Sequence, residues 1–131
     1  FLSPTWKILN QKTALKISLK YGEMILICGH YEWIDTRIFE IFEIEQISIW
    51  KYVITSGELA AMVFVDSIVR LIPWVINEES LKEESFSPLL NWKGEYPQYT
   101  RPEVFEWFSV PGELLSGNPK IIEEWKKENL G

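Results

Sequence analysis

Apolar positions along the chain change period several times, and each change marks a boundary. In ILNQKTALKISLK, residues 8–20, Ile8, Leu9, Ala14, Leu15 and Leu19 fall at helical spacing. That spacing predicts an amphipathic helix, ended by Tyr21-Gly22. EMILICG, residues 23–29, is a short continuous apolar run and reads as a buried strand. WIDTRIFEIF (33–42) predicts a short helix, and IEQISIWKYVI (44–54) one or two short extended pieces. ELAAMVFVDSIVRLI (58–72) is apolar on nearly every face, which predicts a helix buried on several sides and stopped by Pro73.

From Asn77 to Tyr96 the pattern loses its period and becomes rich in acids, Ser, Pro and Gly, as a linker or a mobile functional loop would. TRPEVF is expected to open a helix, with Thr100 near its N-cap and Pro102 in the first turn. NPKIIEEWKKEN repeats that logic with Asn118 as N-cap and Pro119 at the first helical position. Strands and helices alternate up to residue 72 and helices follow, so the expected class is α/β with a helical tail.

Composition narrows the function classes. With 131 residues and 47% apolar content the chain supports one domain with a real core, or a piece of a larger protein. Asp66 and Arg70 interrupt the longest apolar run, so no membrane span is expected, and the opening FLSPTWK has no signal-peptide pattern. One cysteine excludes a disulfide framework and a Cys-rich zinc site, which makes a reducing cytoplasm the expected compartment. Net charge −6 argues against a free-standing nucleic-acid binder with a broad basic face, though not against a local basic groove.

Several short motifs carry chemistry, each with a plainer reading beside it. In GHYEWID, His30 and Glu32 are both able to move protons, but a strand-end loop with solvated side chains fits as well. Ser56-Gly57 stands before a helix with Glu58 in its first turn, suited to hold a polar ligand edge or simply to start the helix. Asp66 and Arg70, four apart on an apolar helix, form a structural pair or serve a site. Glu83 and Glu84 are adjacent carboxylates, solvated or catalytic.

Taken in order, LSP, NQK, LICGHYE.ID.R, ISI..YV, GELAAM, D.IVRLIP, NEES, EYPQYTRPEVFE and LLSGN...IEEW resemble the bacterial tRNA (guanine-N1)-methyltransferase family over essentially the whole chain. The resemblance implies a SPOUT-type α/β domain threaded into a C-terminal trefoil knot, a rare exception to unknotted topology. It divides the chain into the C-terminal part of that domain (1–76), an interdomain linker and active-site loop (77–96), and the start of a helical tRNA-binding domain (97–131). It implies S-adenosylmethionine as methyl donor, a homodimer with the active site at the subunit interface, and tRNA as substrate. The product would be 1-methylguanine just 3′ of the anticodon. The donor site would use Leu2, Pro4, Gly29, Tyr31, Glu32, Ile49, Tyr52, Ile54, Ser56, Gly57 and Ala60. Arg70 matches the family's functional arginine, and Glu84 stands in EESF where the family's proposed base is the Asp of EDSF. Ser56 replaces the first glycine of GGEL, and one residue is missing between Pro73 and NEES. A Mg²⁺ requirement enters only through the resemblance. Relative to the family, the chain is expected to lack an N-terminal portion and most of the C-terminal domain. The alternative from another class is a catalytically inactive knotted remnant for dimerisation or RNA binding.

The resemblance also isolates an anomaly. The family has glycine where this chain has Trp6, Trp33, Trp50, Trp74 and Trp107, and commonly at Trp92; only Trp125 matches a family tryptophan. This pattern predicts UGA codons that encode glycine but are written as tryptophan. Their return would raise the glycine count from 7 to 13. The rival is a divergent protein that has lost its glycine-specific turns. UGG at the six codons would exclude the recoding.

Overall fold

Asn10 divides the first sequence pattern in two. Its side chain accepts a 2.8 Å hydrogen bond from the Thr13 amide, which caps helix α1 at Gln11–Lys20. Ile8 and Leu9, read above as helical, instead finish a strand, β1 (Leu2–Ile8), and the Leu9 amide donates to the Ser48 carbonyl at 2.7 Å. The computed structural model describes residues 1–30 and 34–131; Tyr31, Glu32 and Trp33 lie outside the described residues.

The remaining elements in chain order are α2 (Ile38–Ile41), β2 (Ile47–Ser48), α3 (Gly57–Val69), α4 (Glu78–Lys82), β3 (Val104–Phe105), β4 (Phe108–Ser109), α5 (Gly112–Leu115) and α6 (Pro119–Glu128). The class is mixed α/β. β1 and β2 pair in parallel, with a register shift between Leu2 and Lys7. The chain folds as two compact units, Phe1–Glu78 and Glu79–Gly131.

The first unit is built on a core of Leu2, Ala14, Ile17, Ile47, Ala60, Phe64 and Ile68. Two expectations need correction there. Residues 23–29 form no strand: Leu26 packs at the edge of the core, and only the Ile27 carbonyl takes a backbone bond from β1, at 3.4 Å from the Leu2 amide. The strand lies instead in LSPTWKI, which Pro4 and its polar residues disguise. Nor is α3 buried on several sides. Ala60, Phe64 and Ile68, spaced four apart, form its buried stripe, while Leu59, Met62, Val63, Val65 and Val69 are exposed.

In the second unit, α6 forms as expected, with Asn118 accepting from the Lys120 amide and Pro119 in the first turn. TRPEVF does not open a helix. Val104 and Phe105 pair with Phe108 and Ser109 as an antiparallel hairpin. β-branched and aromatic residues favour that outcome, and Pro102 disfavours helical backbone at Arg101. Residues 82–95 close on themselves. The Ser87 hydroxyl donates to the Lys82 carbonyl at 2.9 Å, the Phe86 amide bonds the Lys93 carbonyl at 2.7 Å, and the Glu95 amide bonds Ser85 Oγ at 2.9 Å.

Two of the anomalous tryptophans stand in left-handed backbone: Trp74 at φ 73° and Trp92 at φ 64°. Trp107 occupies the second position of the two-residue hairpin turn between β3 and β4, but the positive φ of that turn falls on Glu106, at 54°. Trp6, Trp50 and Trp107 are not among the positive-φ residues. The indole of Trp74 is 92% exposed, so nothing packed is lost with it. Trp74→Gly is therefore expected to raise unfolding free energy by about 1 kcal/mol through relief of left-handed strain. Trp92 is half-buried, so Trp92→Gly should gain less. Chemical denaturation of the single variants measures both. An unchanged or lowered midpoint for Trp74→Gly would show that the turn carries no such strain.

Candidate functional site

Ser48 ties two segments of the first unit together. This serine is 1% exposed, and its hydroxyl donates to the Trp50 carbonyl at 2.7 Å with the Pro4 carbonyl at 3.3 Å. The end of β2 is thereby held against β1, and the chain from 49 to 56 is directed towards the start of α3. On the other side, the loop at Cys28–His30 meets α3 at Gly57. A Cβ there would lie 3.0 Å from Cys28 Cα and 3.0 Å from the Gly29 amide nitrogen, so any larger residue would push this backbone apart. His30 Nε2 contacts Glu58 Oε1 and joins the same two segments from outside.

Between these segments lies a cleft of about 660 Å³, within the size range of small-molecule sites. Nine of the residues expected to hold the donor line it: Leu2, Pro4, Gly29, Ile49, Tyr52, Ile54, Ser56, Gly57 and Ala60. The other two, Tyr31 and Glu32, lie outside the described residues. Small residues at 29, 56 and 57 bring backbone close to the cleft, while Leu2, Ile49, Ile54 and Ala60 supply apolar wall. Trp6 and Trp50 also line it and are about half exposed.

The charges around the cleft are set locally. Glu58 is held below the usual carboxylate range, first by its own backbone N–H, then by the Ser56 hydroxyl and by His30. Asp35 is likewise lowered, by the Arg37 guanidinium, whose Nε lies 2.9 and 3.0 Å from the two carboxylate oxygens. Both groups are open to water, so these pairs orient side chains more than they stabilise the fold.

The two expected catalytic residues do not line this cleft. Arg70 caps the far end of α3, its amide bonded to the Asp66 carbonyl. At 1.5 Å per residue it stands roughly 20 Å along the helix from Gly57. Glu84 belongs to the second unit, where it is half-buried and lines a smaller cleft of about 360 Å³ with Glu83, Leu89, Glu95 and Tyr96. Among the described residues no group of three or more His, Cys, Asp and Glu converges as a metal site.

The family model described as tRNA (Guanine-1)-methyltransferase TrmD matches residues 1–130. The chain belongs to this family. It is 53% identical over 129 residues to a tRNA (guanine-N(1)-)-methyltransferase of Clostridioides difficile, an alignment that covers 98% of this chain and 54% of that protein. It is 49% identical over 128 residues to that of Carboxydothermus hydrogenoformans, covering 97% and 49%. It is 48% identical over 126 residues to that of Chloroflexus aggregans, covering 96% and 48%. The chain thus spans about half the length of the curated relatives it matches.

Sequence reasoning missed Ser48 and the His30–Glu58 contact of this family member. His30 and Glu58 had each drawn attention within a motif, but their meeting across 28 positions is a tertiary fact. Ser48 stands within the ISI..YV motif, but its tie to Pro4, 44 positions away, is a tertiary fact.

Proposed function

We propose that the chain is part of an S-adenosylmethionine-dependent enzyme that methylates guanine N1 beside the anticodon of tRNA. The observation that carries this reading is one cleft lined by residues of four separate family motifs. Its apolar wall and close-approaching backbone suit an adenosyl group, and its volume accommodates one. In this reading the domain is a SPOUT fold with a trefoil knot, and Tyr31 and Glu32 complete the donor site. The protein is cytoplasmic and works as a homodimer on tRNA, and Mg²⁺ enters only through the family. The exposed apolar side of α3 and the distance from Gly57 to Arg70 support a site completed by a second copy. No described helix is long and apolar enough to cross a membrane.

S-adenosylmethionine, when bound, supplies a methyl carbon activated by a sulfonium. Leu2, Ile49, Ile54 and Ala60 would enclose its apolar part, and Gly29 and Gly57 would admit it next to backbone. Neutral guanine N1 carries a proton and is a poor nucleophile, so a base is required. Glu84 takes that proton, and Arg70 stabilises the negative charge that develops on O6. Much of the acceleration comes from holding the two reactants in line.

The tryptophans in the cleft favour a second reading, an inactive remnant, because the bulky side chains of Trp6 and Trp50 line it. Titration calorimetry with S-adenosylmethionine separates the two. Full-length protein with glycine at positions 6, 33, 50, 74, 92 and 107 is expected to bind the donor. The version with tryptophan at all six is expected to bind at least about tenfold more weakly, a loss of about 1.4 kcal/mol. Failure of the glycine version to bind would overturn the enzyme reading.

A further inference from the structure

EESF presents two adjacent carboxylates, and the residues alone leave open which is the base. In the second unit they have different surroundings. Glu83 Oε2 accepts from the Tyr96 hydroxyl at 2.9 Å and from Lys126 Nζ at 3.0 Å, across 13 and 43 positions of sequence. Lys126, on the last turn of α6, also lies 4.5 Å from the centre of the Tyr96 ring, a cation–π distance. Two residues on, Ser85 Oγ is held by the Glu95 amide at 2.9 Å. The chain is therefore fastened on both sides of Glu84.

From this geometry we infer that Glu83 is an anchor, and that Lys126 and Tyr96 act through it as positioning residues for Glu84. The inference rests on the reading of Glu84 as the base. Glu83 is a poor candidate for that role on independent grounds. Lys126 first, and Tyr96 second, hold its carboxyl below the usual range, and a base weakened in this way takes a proton reluctantly. The Glu83 side chain is 55% exposed, so the pair adds little to global stability. Its effect is on where the short segment 83–85 stands. An error of about 1 Å in the placement of a base costs on the order of 100-fold in rate. The sign of the acid response follows from the lowered value: the anchor is intact at neutral pH and is lost only as acid protonates Glu83 in the folded state.

The test compares steady-state methylation of tRNA by full-length wild-type enzyme with that by Lys126→Met, Lys126→Arg, Tyr96→Phe and Glu84→Gln. Lys126→Met is expected to lower kcat by about 10- to 100-fold, with the KM values for donor and tRNA within about twofold and an unchanged melting temperature. Lys126→Arg, which keeps the cation, should recover most of kcat, and Tyr96→Phe should fall between. Amide hydrogen exchange at residues 83–87 should quicken in Lys126→Met and not in Lys126→Arg. A raised KM for tRNA with kcat intact would overturn the inference and make Lys126 a phosphate contact instead. Unchanged kcat and unchanged exchange in Lys126→Met would overturn it while leaving Glu84 as base. Retained turnover in Glu84→Gln would overturn both the inference and the reading beneath it.

Discussion

Glu84→Gln is expected to lower kcat for guanine methylation by about 10²- to 10⁴-fold, the usual contribution of a positioned general base. The amide is nearly isosteric with the carboxylate but does not accept the N1 proton, so donor affinity and melting temperature should stay as they are. Glu84→Asp tests reach separately from chemistry. It introduces the residue type that the resemblance to EDSF implies and shortens the side chain by one methylene. Its kcat should lie between those of wild type and Glu84→Gln. Single-turnover methylation with saturating donor and tRNA measures all three without interference from product release. Wild-type turnover in Glu84→Gln would place the base elsewhere. The half-buried setting of Glu84, beside an anchored neighbour, is the structural ground for choosing it over Glu83.

The second large effect concerns Gly57. A valine there would press its Cβ against Cys28 Cα, the Gly29 amide nitrogen and the Cys28 carbonyl carbon, at 3.0, 3.0 and 3.2 Å. These are backbone atoms, so no side-chain rotation relieves the clash. Overpacking of this kind costs about 1–3 kcal/mol. The two segments that part are both walls of the cleft, so affinity for S-adenosylmethionine should fall at least about tenfold, equivalent to about 1.4 kcal/mol. Gly57→Ala brings the same first contact without the extra methyls and should show a smaller shift in both quantities. Thermal melting and calorimetry read the two effects independently. An unchanged melting temperature in Gly57→Val would mean that the loop at 28–29 does not pack on α3.

Gly57 also illustrates the reach of sequence reasoning. A Ser-Gly pair before an apolar helix is a local signal, and it correctly places the start of α3. The same locality explains α6, where Asn118 and Pro119 announce a helix that needs no tertiary help to begin. It explains α1 only in part, because the capping oxygen of Asn10 outranks the helical spacing of Ile8 and Leu9. For the cleft, the motifs named the lining residues one by one. Nothing in the order of those residues states that Leu2, Gly29 and Gly57 share one wall.

By itself the sequence determined the family, the helices with their own caps, and the residue types available for chemistry, because each is written in contiguous residues. Tertiary structure decided the rest. It selected Ala60, Phe64 and Ile68 as the buried stripe of an evenly apolar helix, because core atoms lie on one side only. It turned TRPEVF into a hairpin, through pairing with Phe108 and Ser109 that no local window contains. It set Trp74 and Trp92 in left-handed backbone, where glycine is at ease and tryptophan is strained. And it distinguished Glu83 from Glu84, identical in type and adjacent in sequence, by bringing Tyr96 and Lys126 to the first of them.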